Sequence, residues 1–130
     1  FTDKKQLGCY SVYTSDNKAP IAKFIKGDEC LPLSEKKHID FIKIDVEGSE
    51  LEAIKGLEAV IIKHHPVLKI EFSLNAFAAS GSSYHDLWSH LIQLGYKKYA
   101  ICKDRDYLKN LSSIEETPEL KGSKDIIFIK

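Results

Sequence analysis

The sequence predicts an α/β fold with mostly parallel strands, on three observations. A compact apolar run, Phe41-Ile42-Lys43-Ile44-Asp45-Val46, stops at Glu47-Gly48. Apolar residues at helical spacing follow it, and a second compact run, Val67-Leu68-Lys69-Ile70-Glu71-Phe72, closes the series. Strand, helix and strand at this length form the right-handed βαβ unit that joins parallel strands.

The elements follow in order. Residues 9–14 and 21–25 are rich in β-branched and aromatic side chains on either side of Ser15-Asp16-Asn17, so two short strands joined by a loop are expected there. Gly27-Asp28-Glu29 breaks that pattern, and residues 31–38 read as a loop or a short helical turn. After the strand at 41–46, Ser49 with Glu52 fits a capping box, and Leu51, Ile54, Leu57 and Ile61 form one helical stripe, widened by Ala53 and Val60. Lys63, His64 and His65 suit the negative end of that helix, and Pro66 prevents continuation. A polar loop is expected around Ser80-Gly81-Ser82, then a helix opened by Ser83 and Asp86 and stopped by Gly95, with Leu87, Trp88, Leu91 and Leu94 on one face. Residues 96–102 and 125–129 read as a closing strand pair separated by a long polar segment.

With 130 residues, 43% hydrophobic and 29% charged, the chain has the composition of a single globular domain, 1–130. Nineteen basic residues balance nineteen acidic ones, so no partnership with nucleic acid or an anionic membrane is expected. The one dense basic cluster, Lys36-Lys37-His38, has no interleaved aromatics and reads as a solvated loop. Cys9, Cys30 and Cys102 are odd in number and widely spaced, which argues against a disulfide framework or a zinc knuckle and for a reducing compartment, the cytoplasm. No apolar run reaches the ~18 residues of a membrane span. The chain starts at Phe1 and contains no methionine, so a segment upstream is expected.

Ligands of open α/β sheets bind at the carboxyl ends of the strands, which places Asp45, Glu47 and Glu50 where a site belongs. The alternative is that Asp45 and Glu47 end a strand and Glu50 complements a helix start. The two strands also share a pattern, Lys43-Ile44-Asp45 and Lys69-Ile70-Glu71. Period two puts each lysine and its carboxylate on one face, so neighbouring strands in matching register set Asp45 beside Glu71 with the lysines behind. Such a pair could raise one carboxylate pKa toward that of a general base or hold a cation, and the other reading is a charge-balanced lattice. His64 and His65 are adjacent, so a helix points them apart and no zinc site is expected from them. No nucleophile elbow or phosphate-binding Gly-rich loop is present. Trp88 reads as core.

The stretch Ile39-Asp40-Phe41-Ile42-Lys43-Ile44-Asp45-Val46-Glu47-Gly48-Ser49-Glu50-Leu51-Glu52-Ala53-Ile54-Lys55-Gly56 closely resembles the signature of the FkbM family of S-adenosylmethionine-dependent methyltransferases. Pro66-Val67-Leu68-Lys69-Ile70-Glu71 follows at the distance of that family's next strand, and residues 39–130 match best. The resemblance implies the C-terminal portion of a Rossmann-like class I methyltransferase sheet, with fourth and fifth strands at 39–47 and 67–72 and an antiparallel last strand. It implies S-adenosylmethionine as cofactor, with Asp45, Val46, Glu47 and Gly48 beside it, and no residue is assigned to a metal. It implies O-methylation of a sugar or small-metabolite hydroxyl, with Asp45, Glu47 and Glu71 as the catalytic candidates and Glu50 anchoring the turn.

The family's Gly-rich cofactor loop and its ribose-binding acid have no counterpart before Ile39. The chain is therefore either the C-terminal part of a longer enzyme or a remnant that does not bind cofactor alone. A non-catalytic α/β interaction module is the competing class, and a metal-dependent hydrolase is a third. An exposed edge strand, expected if half the sheet lies elsewhere, would pair with a second copy in a homodimer or aggregate.

Overall fold

The computed structural model describes residues 23–30, 38–102, 111–115 and 118–130. The strand expected at 9–14, the start of the one at 21–25, Lys36 and Lys37 lie outside these residues. Among the described residues, five strands form one sheet: β1 (Phe41–Ile44), β2 (Val67–Ser73), β3 (Lys98–Ile101), β4 (Ser112–Ser113) and β5 (Ser123–Ile129). Four helices accompany them: α1 (Glu50–Gly56), α2 (Glu58–His64), α3 (Leu74–Ser80) and α4 (Tyr84–Gln93). No helix among the described residues is long and apolar enough to cross a membrane.

The sheet order is β1-β2-β5-β3-β4. The parallel β1 and β2 pair as expected, Lys43 against Lys69 and Ile44 against Ile70. The expected antiparallel last strand is present as β5, but fewer pairings are parallel than expected, because β5 pairs antiparallel with both β2 and β3, and β3 with β4. The reason is topological: β5 returns between β2 and β3, so β1, β2 and β3 share a direction while only one pairing is parallel.

Alternation along β2 buries Leu68, Ile70 and Phe72 and leaves Val67, Lys69, Glu71 and Ser73 half-buried on the other face. The buried face joins Ile44, Ile126 and Phe128 to Leu51, Ile54, Ile61, Leu87, Trp88 and Leu91 of the helices in one core. Each such side chain contributes about 1.5–3 kcal/mol by leaving water. Trp88 is core, as expected, and its indole N–H donates to the Ile114 carbonyl at 3.0 Å.

Several elements depart from the sequence expectation. The single helix expected after Ser49 is two, broken at Leu57, because the Asp28 carboxylate accepts the N–H groups of Ala59 and Val60 and so starts a second helix there. Gly27, in a 3-10 turn from Gly27 to Glu29, packs against that break; a Cβ on it would collide with the Leu57 side chain. Ser49 does not cap α1 with its hydroxyl, since its backbone is not extended and Glu50 supplies the local carboxylate instead. The loop expected around Ser80-Gly81-Ser82 is present at Gly81 and Ser82, but the residues before it form the unforeseen α3, capped by Ser73 and closed by Gly81 in the left-handed conformation. Lys23, Phe24 and Ile25 lie in no strand. Ser83 does cap α4, through the His85 N–H, and Gly95 follows that helix at φ +86°. The closing strands are Lys98–Ile101 and Ser123–Ile129, with β4 an unforeseen third.

Candidate functional site

The carboxyl end of β1 is a tight turn. Glu47 adopts φ +52° and Gly48 φ +104°, a left-handed pair that costs a non-glycine residue about 1 kcal/mol or more. Gly48 is required twice over, because a Cβ there would lie 2.6 Å from the Ala76 carbonyl oxygen of α3. Glu50, only 1% exposed, turns back to accept the Gly48 N–H at 3.0 Å, which is the anchoring role expected of it. One of its oxygens, Oε2, has no hydrogen-bond partner.

This turn and the matching register bring the three predicted carboxylates together. Oxygens of Asp45, Glu47 and Glu71 all lie within 4.8 Å of one another. Val46, beside them in sequence, is exposed. Lys43 binds Asp45 at 2.8 Å and Lys69 binds Asp125 at 2.8 Å, so both lysines sit behind the carboxylates as expected. Much of the counter-charge therefore comes from within the sheet.

The two neighbouring carboxylates are driven apart in acidity. The Lys43 ammonium, by hydrogen bond and by charge, holds Asp45 below the usual aspartate range. Glu71 receives a hydrogen bond from Ser123 that favours its anion, but partial burial and the negative Asp45 and Glu47 outweigh it and raise its pKa. A low and a raised carboxylate side by side can share one proton, which suits proton transfer.

Sequence reading missed Ser123 and Asp125, both on this face of β5. Ser123 donates to Glu71 Oε1 at 2.7 Å, and Asp125 lies opposite Glu71 in the ladder. No local signal marks either residue, because only the antiparallel insertion of β5 brings them here. A shallow cleft of about 290 Å³ lined by Ile101, Leu120, Lys121 and Lys124 opens at the same end of the sheet. Lys124 is adjacent to Asp125 in β5, so it projects from the opposite face to the carboxylates. Neither Asp45, Glu47 nor Glu71 lines this cleft.

His64 and His65 end α2, as expected. His64 is the last helical residue and His65 the left-handed cap at φ +51°. His65 Nδ1 lies 2.6 Å from Lys130 Nζ.

Comparison with known proteins adds one finding. A family model, the methyltransferase FkbM domain, matches residues 13–98, well over half of the chain. No curated protein and no solved structure matches it.

Proposed function

The chain belongs to the FkbM methyltransferase domain family, and on that premise we propose that it is the catalytic-side part of an S-adenosylmethionine-dependent methyltransferase acting on a hydroxyl of a sugar or small metabolite. The observation that carries this reading is the meeting of Asp45, Glu47 and Glu71 at the carboxyl end of two parallel strands. The strand order supports a Rossmann-like class I sheet, since three strands share a direction and β5 is inserted against them.

The donor set fits one end of the cofactor. S-adenosylmethionine, when bound, supplies an electrophilic methyl group on a positively charged sulfur. Carboxylates on an accessible strand end complement that charge, with Asp45, Val46, Glu47 and Gly48 as the residues that would hold it. The described residues include no Gly-rich loop of the kind that cradles the rest of the molecule.

The acceptor oxygen must be aligned with the methyl carbon and must lose its proton. With the cofactor bound, Asp45 would lie nearest the transferred methyl and Glu47 would orient the acceptor, while Glu50 keeps the turn in shape. Removal of the proton falls to this carboxylate group.

The test is calorimetric titration of S-adenosylmethionine and S-adenosylhomocysteine into this chain and into the full product of its gene. Binding by the full product, with turnover reduced at least roughly 10²-fold by Asp45→Asn or Glu47→Gln, is expected. Unchanged turnover in both variants would overturn the assigned roles, and no binding by either protein would overturn the enzyme reading. A non-catalytic interaction module is the second reading, favoured by the internal charge balance of Lys43 with Asp45 and Lys69 with Asp125.

A further inference from the structure

We propose that Glu71 is the general base that takes the acceptor's hydroxyl proton, and that Ser123 is the positioning residue that commits this proton to Glu71 Oε2. This rests on the methyltransferase reading. Ser123 donates to Glu71 Oε1 at 2.7 Å, so that oxygen is engaged and a proton arriving on the carboxyl settles on the other. Asp45, with a carboxylate oxygen within 4.8 Å of one of Glu71's, is held as an anion by Lys43 at 2.8 Å. It then accepts a hydrogen bond from the newly protonated Glu71.

The backbone explains why Ser123 can do this. Gly122 turns at φ +69°, its carbonyl accepts the Leu74 N–H, and β5 begins with Ser123 paired to Ser73 at the end of β2. The side chains of Ser123, Asp125, Glu71 and Asp45 therefore share one face and one end of the sheet. Among the described residues, the charged groups around Glu71 have a place in this arrangement. Asp45 and Glu47 raise its proton affinity, Lys43 neutralises Asp45, and Asp125, directly across the ladder, is engaged by Lys69.

Asp45 is the poorer base, because its lysine stabilises the anion. Glu71 has neighbours that favour its protonated form. In the reaction the acceptor O–H bond breaks toward Glu71 while the oxygen bonds to the methyl carbon. The sulfur–carbon electron pair stays on sulfur, leaving S-adenosylhomocysteine, and Glu71 later returns its proton to water.

The experiment reads the free protein first. Carboxyl-carbon NMR of the full chain, in chelator-containing buffer without cofactor, follows Glu71 as pH is varied. Glu71 is expected to titrate above ordinary glutamates, to move further up in Ser123→Ala, and to return in Ser123→Thr. The acidic limb of kcat/KM in the full gene product is expected to move with it, and Glu71→Gln to lower kcat by roughly 10² to 10⁴. Ordinary titration by Glu71 overturns the proposal. So does a pH profile that stays fixed in Ser123→Ala while turnover persists. Absence of turnover in every form, with the NMR shifts intact, instead removes the methyltransferase reading, and the base assignment with it.

Discussion

The carboxylate of Asp28 accepts the backbone N–H groups of Ala59 and Val60, at 2.9 and 3.0 Å, from 31 positions upstream of the first of them. It satisfies donors that α2 leaves unpaired at its start, where Leu57 interrupts the helical run. A remote side chain thus decides where one helix ends and the next begins. Asp28→Ala is expected to lower stability by about 1 kcal/mol, read as a reduced urea midpoint. Asp28→Asn, which keeps one accepting oxygen, is expected to retain part of it; an unchanged midpoint in the alanine variant would show that the cap is energetically idle.

Gly48 carries both a positive φ and the close approach of α3. Gly48→Ala places a methyl 2.6 Å from the Ala76 carbonyl oxygen and strains the left-handed backbone. The expected loss is about 2 kcal/mol or more, with Asp45 and Glu71 displaced from each other. Equilibrium denaturation measures the first effect. Carboxyl NMR of the two residues measures the second, and wild-type behaviour in both refutes the close packing of the turn.

Glu71 has a raised pKa in the folded protein, so folding favours its protonated form. Its contribution is fully present below the unfolded-state value and is lost as pH rises through the folded one. Glu71→Gln is therefore expected to raise Tm at pH 7, by relieving repulsion from Asp45 and Glu47, with the gain shrinking toward pH 4. A Tm that falls at pH 7 would show that Glu71 serves the fold as an anion.

His64 is only 6% exposed, and its Nε2 has no hydrogen-bond partner. Burial first, then the nearby Lys63 and His38, lowers its pKa. A histidine with a depressed folded pKa stabilises the fold above its unfolded value, near 6.5, and withdraws that contribution as pH falls through the folded one. Thermal melts from pH 7 down to pH 5 are expected to show a drop in Tm that His64→Phe reduces. An identical pH dependence in both proteins would clear His64 of the effect.

Much of the candidate site was legible because a strand has a period of two. Lys-Ile-Asp and Lys-Ile-Glu in successive strands need only matching register to set Asp45 beside Glu71, and the pairing of Lys43 with Lys69 provides it. The turn at Glu47-Gly48 and the anchoring by Glu50 were legible for the same local reason. Helix α3 was missed although signals were present, with Ser73 as its cap, apolar Leu74 and Phe77 on it, and Gly81 as its stop. The serine-rich end of the segment carries an equally strong turn signal.

The sequence by itself determined which segments are strands and helices around 41–73, and which carboxylates gather at their end, because those outcomes depend on neighbours a few residues apart. Only the tertiary structure decided that the last strand, β5, inserts between β2 and β3, bringing Ser123 and Asp125 to Glu71, and that Asp28 divides a helix. Such contacts join residues 31 to 54 positions apart and leave no periodic trace in the chain; what selects them is the burial of Ile126 and Phe128 in the common core.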